Sequence, residues 1–121
     1  MKIVQINSTC DVGSTGKICA SVSSLLWERD IENYILYAYS GNNCRGAVGY
    51  SSYPYVKLQA LKAKLFGNNG FNSAKATKRL ISELDRISPD VVHLHNIHSH
   101  DCNVQKLFEY LKDKNLFITN N

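Results

Sequence analysis

The chain has 121 residues, 44% of them apolar and 20% charged, with a formal net charge of +4. That gives room for one domain with a core, residues 1–121, and excludes a disordered tail, a collagen-like repeat or a disulfide mini-protein. Fourteen Lys and Arg against ten Asp and Glu suit an anionic ligand or an anionic membrane surface, but they are scattered rather than grouped, so no nucleic-acid partner is expected.

Lys2 to Asn7 is rich in Ile and Val and reads as a strand. A loop of small residues follows, from Ser8 to Lys17. Ile18, Val22, Leu25 and Leu26 then fall on one helical face. Tyr34 to Tyr39 reads as a second strand and Ala47 to Tyr50 as a short third. Tyr55 to Phe66 is helical, with Leu58, Leu61 and Leu65 on one stripe. Gly67-Asn68-Asn69-Gly70 breaks it, and Ser73 is placed to cap the next helix. That helix buries Leu80, Ile81, Leu84 and Ile87 and stops at Pro89-Asp90. Val91 to His95 reads as a buried strand. A last helix carries Val104, Leu107, Phe108 and Leu111, and Leu116 to Thr119 reads as a fifth strand.

Strands alternating with helices predict an α/β fold: a Rossmann-like three-layer sandwich with a parallel sheet. The first strand is expected between Tyr34–Tyr39 and Val91–His95. Ligands of such folds bind beyond the carboxyl ends of the strands. The loops after the first strand and after Val91–His95 would meet there. No apolar run approaches the ~20 residues of a membrane span, and the N-terminus does not read as a signal peptide. The expectation is therefore a cytoplasmic protein. Cys10, Cys19, Cys44 and Cys102 lack CxxC spacing and read as free thiols.

Gly13-Ser14-Thr15-Gly16-Lys17 has two readings. Glycines ahead of a helix let backbone N–H groups approach a phosphate. They equally suit a tight strand-to-helix turn. A Walker loop is two residues off: Asp11 stands where its first glycine belongs, and Ile18 where its Ser or Thr belongs. The acidic Asp11 would also repel a phosphate.

All four histidines lie between His93 and His100. With Asp101 and Cys102 they could ligate metal, but HExxH and CxxC spacings are missing. Alternatively, they line a polar cleft as hydrogen-bonding or proton-transfer groups, or lie on the surface without a role. Phe66 and Phe71, in a Gly/Asn loop, either stack on a sugar or lipid or tuck into the core.

Several segments together resemble one family. They are Gly13-Ser14-Thr15-Gly16-Lys17-Ile18, Phe66-Gly67 with Gly70-Phe71 and Ser73, Ala76-Thr77 with Leu80-Ile81, Pro89-Asp90-Val91-Val92-His93-Leu94-His95-Asn96-Ile97-His98, and Leu107 to Lys112. The chain resembles the N-terminal, acceptor-side domain of family-four, GT-B type bacterial glycosyltransferases, which build exopolysaccharide, capsule or lipopolysaccharide. The resemblance implies one half of a GT-B fold and a retaining transfer in a cleft between two domains. The nucleotide-sugar donor would be held by the other domain, with no cofactor or metal in this chain.

Carried over, His95 and His98 are the candidate catalytic residues. Gly13, Ser14, Thr15, Gly16, Lys17, Phe71, Asn72 and Asn96 are the candidate acceptor contacts. The expected partners are a saccharide or lipid-linked acceptor, the missing donor domain and, peripherally, the anionic inner face of the membrane. The family's Trp-Thr-x-His-Asp-Cys-Trp segment and paired-glutamate motif have no counterpart here. The expectation is a truncated piece, inactive alone. A stand-alone module that pairs with a separate donor domain and a divergent P-loop hydrolase are the alternatives.

Overall fold

The computed structural model describes residues 1–42, 44–66, 74–95, 97 and 101–120. Its elements run β1 (Lys2–Cys10), α1 (Gly13–Glu28), β2 (Glu32–Gly41), β3 (Ala47–Gly49), α2 (Tyr53–Phe66), α3 (Ala74–Ile87), β4 (Val91–Leu94), α4 (Val104–Asp113) and β5 (Phe117–Asn120). The five strands form one parallel sheet in the order β3-β2-β1-β4-β5. β1 therefore lies between β2 and β4, as the sequence predicts. It pairs Ile3 with Asn33 on one side and with Val91 on the other. This is a Rossmann-like α/β sandwich with helices on both faces of the sheet.

One face carries the main core. Val4 and Ile6 of β1, Leu36 and Ala38 of β2, and Val92 and Leu94 of β4 point the same way. They meet Leu80, Leu84 and Ile87 of α3 and Leu107 and Leu111 of α4, with Tyr55 and Val56 of α2 at the margin. The alternation along each strand leaves the intervening residues for the opposite face. There Gln5 and Asn33 are buried, and α1 packs against them.

α1 departs from the expected face. Its buried residues are Gly16, Cys19 and Ser23, while Ile18 and Leu25 are half exposed. The floor beneath α1 is partly polar: Gln5 Nε2 donates to the Cys19 carbonyl at 3.0 Å, and Ser23 Oγ donates to Asn33 Oδ1 at 2.5 Å. Small side chains let the helix come down onto that floor, and of the larger apolar stripe Ile18 and Leu25 are turned outward while Val22 and Leu26 stay partly buried. The same reversal occurs at Leu58, Leu61 and Leu65 of α2 and at Phe108 of α4, all exposed.

Both ends of β1 are pinned. At its start the Lys2 N–H donates to Asp90 Oδ2 at 2.8 Å, and the Asp90 N–H donates back to the Lys2 carbonyl at 2.9 Å. At its end β1 runs to Cys10, three residues beyond the predicted Asn7, and α1 begins at Gly13. The predicted loop from Ser8 to Lys17 is thus a two-residue turn, and Gly13 to Lys17 form the first helical turn. The predicted break at Gly67 to Gly70 and the cap at Ser73 lie outside the described residues. Among the described residues, no helix is long and apolar enough to cross a membrane.

Candidate functional site

The carboxyl end of β1 brings the two singled-out stretches to one edge and one face of the sheet. Asn7 Nδ2 donates to the Thr9 carbonyl at 2.8 Å and reaches Thr15 Oγ1 at 3.5 Å. Two residues earlier on the same face, Gln5 Oε1 lies 2.7 Å from His95 Nε2. His95 follows β4 directly, and its backbone N–H donates to the Ile6 carbonyl at 3.0 Å.

The turn into α1 is tightly specified. Asp11 has φ 57° and Gly13 φ 70°, so two residues close together occupy the left-handed region. Asp11 N–H donates to the Gly16 carbonyl at 2.8 Å, and Thr9 Oγ1 donates to the Val12 carbonyl at 2.7 Å. The Asp11 carboxylate accepts from Asn42 Nδ2 at 3.3 Å. Val12 occupies the N-cap of α1 without a side-chain hydrogen bond, and the first turn holds no acidic residue. An α-helix leaves its first N–H groups without intrahelical partners, and its dipole is positive there. This end of α1 therefore suits an electron-rich oxygen.

The five residues of the turn divide. Gly13, Ser14 and Lys17 are exposed and Thr15 is half-buried, whereas Gly16 is buried against β1. Gly16 thus serves the close approach of helix to strand, and the other four face outward or line the edge.

His95 is held in one state by its neighbours. Gln5 Nε2 donates to the Cys19 carbonyl, so Gln5 presents its oxygen to the ring. His95 Nε2 must then carry the proton, leaving Nδ1 as the acceptor nitrogen of a neutral imidazole. Burial, with a smaller contribution from His93, lowers the His95 pKa to about 4. The two rings stack with centroids 4.0 Å apart. The sequence suggests an imidazole offering both a donor and an acceptor to a sugar hydroxyl, but the donor is already engaged with Gln5.

The rest of the histidine stretch divides as well. Asp101 and Cys102, candidate ligands in the metal reading, turn into the fold. Ser8 Oγ donates to Asp101 Oδ2 at 2.5 Å, and burial pushes the Cys102 thiol up to about 12. Asn103 N–H donates to Thr77 Oγ1 at 2.6 Å, and Asn103 Oδ1 caps α4 by accepting from the Lys106 N–H at 3.2 Å. Among the described residues, no group of three or more His, Cys, Asp or Glu is arranged to hold a metal ion. His98, Phe71, Asn72 and Asn96 lie outside the described residues. Gln5, Asn7 and Ser8, absent from the expected site, are buried polar residues on a strand whose other buried residues, Val4, Ile6 and Cys10, are apolar. Their polarity within the strand was the available signal.

Comparison with known protein families, curated proteins and solved structures finds no match to this chain.

Proposed function

We propose that the chain is the acceptor-binding half of a retaining glycosyltransferase of the GT-B type, acting in cell-surface polysaccharide synthesis. The observation that carries this reading is the convergence at the carboxyl end of β1. The uncapped N-terminus of α1 and the neutral His95 lie at the same edge and on the same face. An open helix end beside the Asp11 carboxylate suits the uncharged hydroxyl or ring oxygens of a saccharide better than a phosphate, and an imidazole suits one of its hydroxyls. Strand-end side chains on a rigid sheet hold such contacts in place. In this reading the nucleotide-sugar donor belongs to a second domain and the protein is cytoplasmic. This chain alone transfers no sugar, because half a cleft cannot orient two substrates.

Backbone amide NMR during titration with short lipid-linked or soluble saccharides tests the reading. Shifts confined to Gly13, Ser14, Thr15, Lys17 and His95 are expected, with His95→Ala weakening binding roughly tenfold, the worth of one good hydrogen bond. No shift with any saccharide would overturn the reading. Mg²⁺-dependent nucleotide binding at the same residues would instead favour a phosphohydrolase.

A further inference from the structure

The outward face of α2 calls for a partner. Leu58, Leu61 and Leu65 are 48%, 52% and 66% exposed. At about 100° per residue, these three fall within about 60° of one another and form a single ridge. Lys62 lies about 40° beyond Leu58, and Lys57 and Lys64 lie about 40° and 60° beyond Leu61. The ridge thus has a lysine border on both sides, and all three lysines are exposed. Its sequence, YPYVKLQALKAKLF, holds no Asp or Glu. The opposite side of the helix is accounted for, since Val56, about 160° from Leu58, packs on the core, as does Tyr55 on the flank beyond Lys62.

A helix needs one apolar side to dock on its own sheet, and α2 has a second. Single exposed leucines are ordinary, but an aligned ridge with basic borders is the pattern of an interfacial helix. We propose that α2 docks the domain onto an anionic lipid bilayer, leucines entering the acyl boundary and lysines reaching the headgroups. Charge selects this occupant. A protein groove would need acidic rims on both sides of its apolar floor, whereas an anionic bilayer offers that arrangement wherever the helix lands. Bilayer docking by α2 stands whether or not the cleft binds a saccharide.

Co-sedimentation of the full chain with large unilamellar vesicles is the test. One set is phosphatidylcholine alone and the other contains about one-third phosphatidylglycerol. Binding to the anionic set, weakened by salt, is expected. Changing Leu58, Leu61 and Leu65 together to alanine should lower the partition coefficient on the order of a hundredfold, about fivefold per half-exposed leucine. Changing Lys57, Lys62 and Lys64 together to glutamine should lower it by a similar factor on anionic vesicles, and these exposed positions leave the core intact. Absence of binding, equal binding to both vesicle sets, or indifference to the lysine changes would overturn the proposal. So would vesicle-free self-association abolished by the leucine changes, which would make the ridge a contact between copies.

Discussion

Replacing Gly16 by alanine separates a packing role from a ligand-binding one. A Cβ at Gly16 would sit 2.5 Å from Thr9 Oγ1, 3.2 Å from Asp11 N and 3.4 Å from Thr9 C. The first contact is too short to exist, and that hydroxyl already donates to the Val12 carbonyl at 2.7 Å. Swinging it away breaks a hydrogen bond worth about 0.5–1.5 kcal/mol. The 3.2 Å approach to the Asp11 backbone remains after the hydroxyl moves, so α1 must also back off the sheet, which disturbs Cys19 and Ser23, and such overpacking typically costs about 1–3 kcal/mol. Alanine over glycine within a helix returns about 1 kcal/mol. The two costs together, less that return, give a net destabilisation of about 0.5–3.5 kcal/mol, or a Tm lower by roughly 2–14 °C for a domain of this size. Urea unfolding followed by the fluorescence of Trp27, the sole tryptophan, measures it. In a Thr9→Ala background the obstructing hydroxyl is gone, so Gly16→Ala should cost less by about 1 kcal/mol. A Gly16→Ala protein as stable as the parent, or costs that simply add, would refute the packing argument.

Three further outcomes are expected. His95 has its folded pKa lowered to about 4 from an ordinary 6.5, so the unfolded chain binds the extra proton between those values, and stability falls as pH drops from about 6.5 toward 4. The slope is at most about 1.4 kcal/mol per pH unit and smaller for a half-screened ring; urea midpoints of the parent and His95→Asn should converge as pH falls, and parallel profiles would exclude His95 as the source. Cys10 and Cys102, pushed up to about 12, and Cys19, to about 11, are fully buried, while Cys44 is partly exposed; a thiol reagent should therefore titrate one cysteine quickly and three only on unfolding, and rapid reaction of two or more would contradict the packing beneath α1 and α4. Ser8→Ala removes the donor to the buried Asp101 carboxylate and should cost about 1–3 kcal/mol in a urea melt, whereas a neutral result would mean that Asp101 is held by its other contacts.

Strand positions were legible because Val4, Ile6, Val92 and Leu94 are apolar residues with turn signals around them, and burial on both faces favours such runs. Helix faces were less so. α1 carries two stripes at helical spacing, one large and apolar, the other Gly16, Cys19 and Ser23. Counting apolar residues selects the first, but the polar floor of Gln5 and Asn33 admits only the second. α2 misleads in the same way, since its most leucine-rich side faces outward. At the site, strand-end placement made His95 legible. The Gln5 amide that fixes its tautomer was not, because a polar residue within a strand gives no hint of which neighbour it will bond.

The central position of β1 also bears on how the chain assembles during synthesis. β1 precedes both of its sheet neighbours in the chain, and its β2 side closes locally through α1. Its other side waits for β4, whose first residue, Val91, lies 50 positions after Gly41. At a synthesis rate of roughly 5–20 residues per second, that edge stays open for roughly 2–10 s. For most of that interval Val4 and Ile6 lack α3, which is complete only at Ile87, and they lack α4 throughout it. A nascent chain stalled there presents an unpaired strand edge beside an uncovered apolar face. A pause between residues 41 and 91 is thus where a chaperone would do most to keep the growing chain from associating with others.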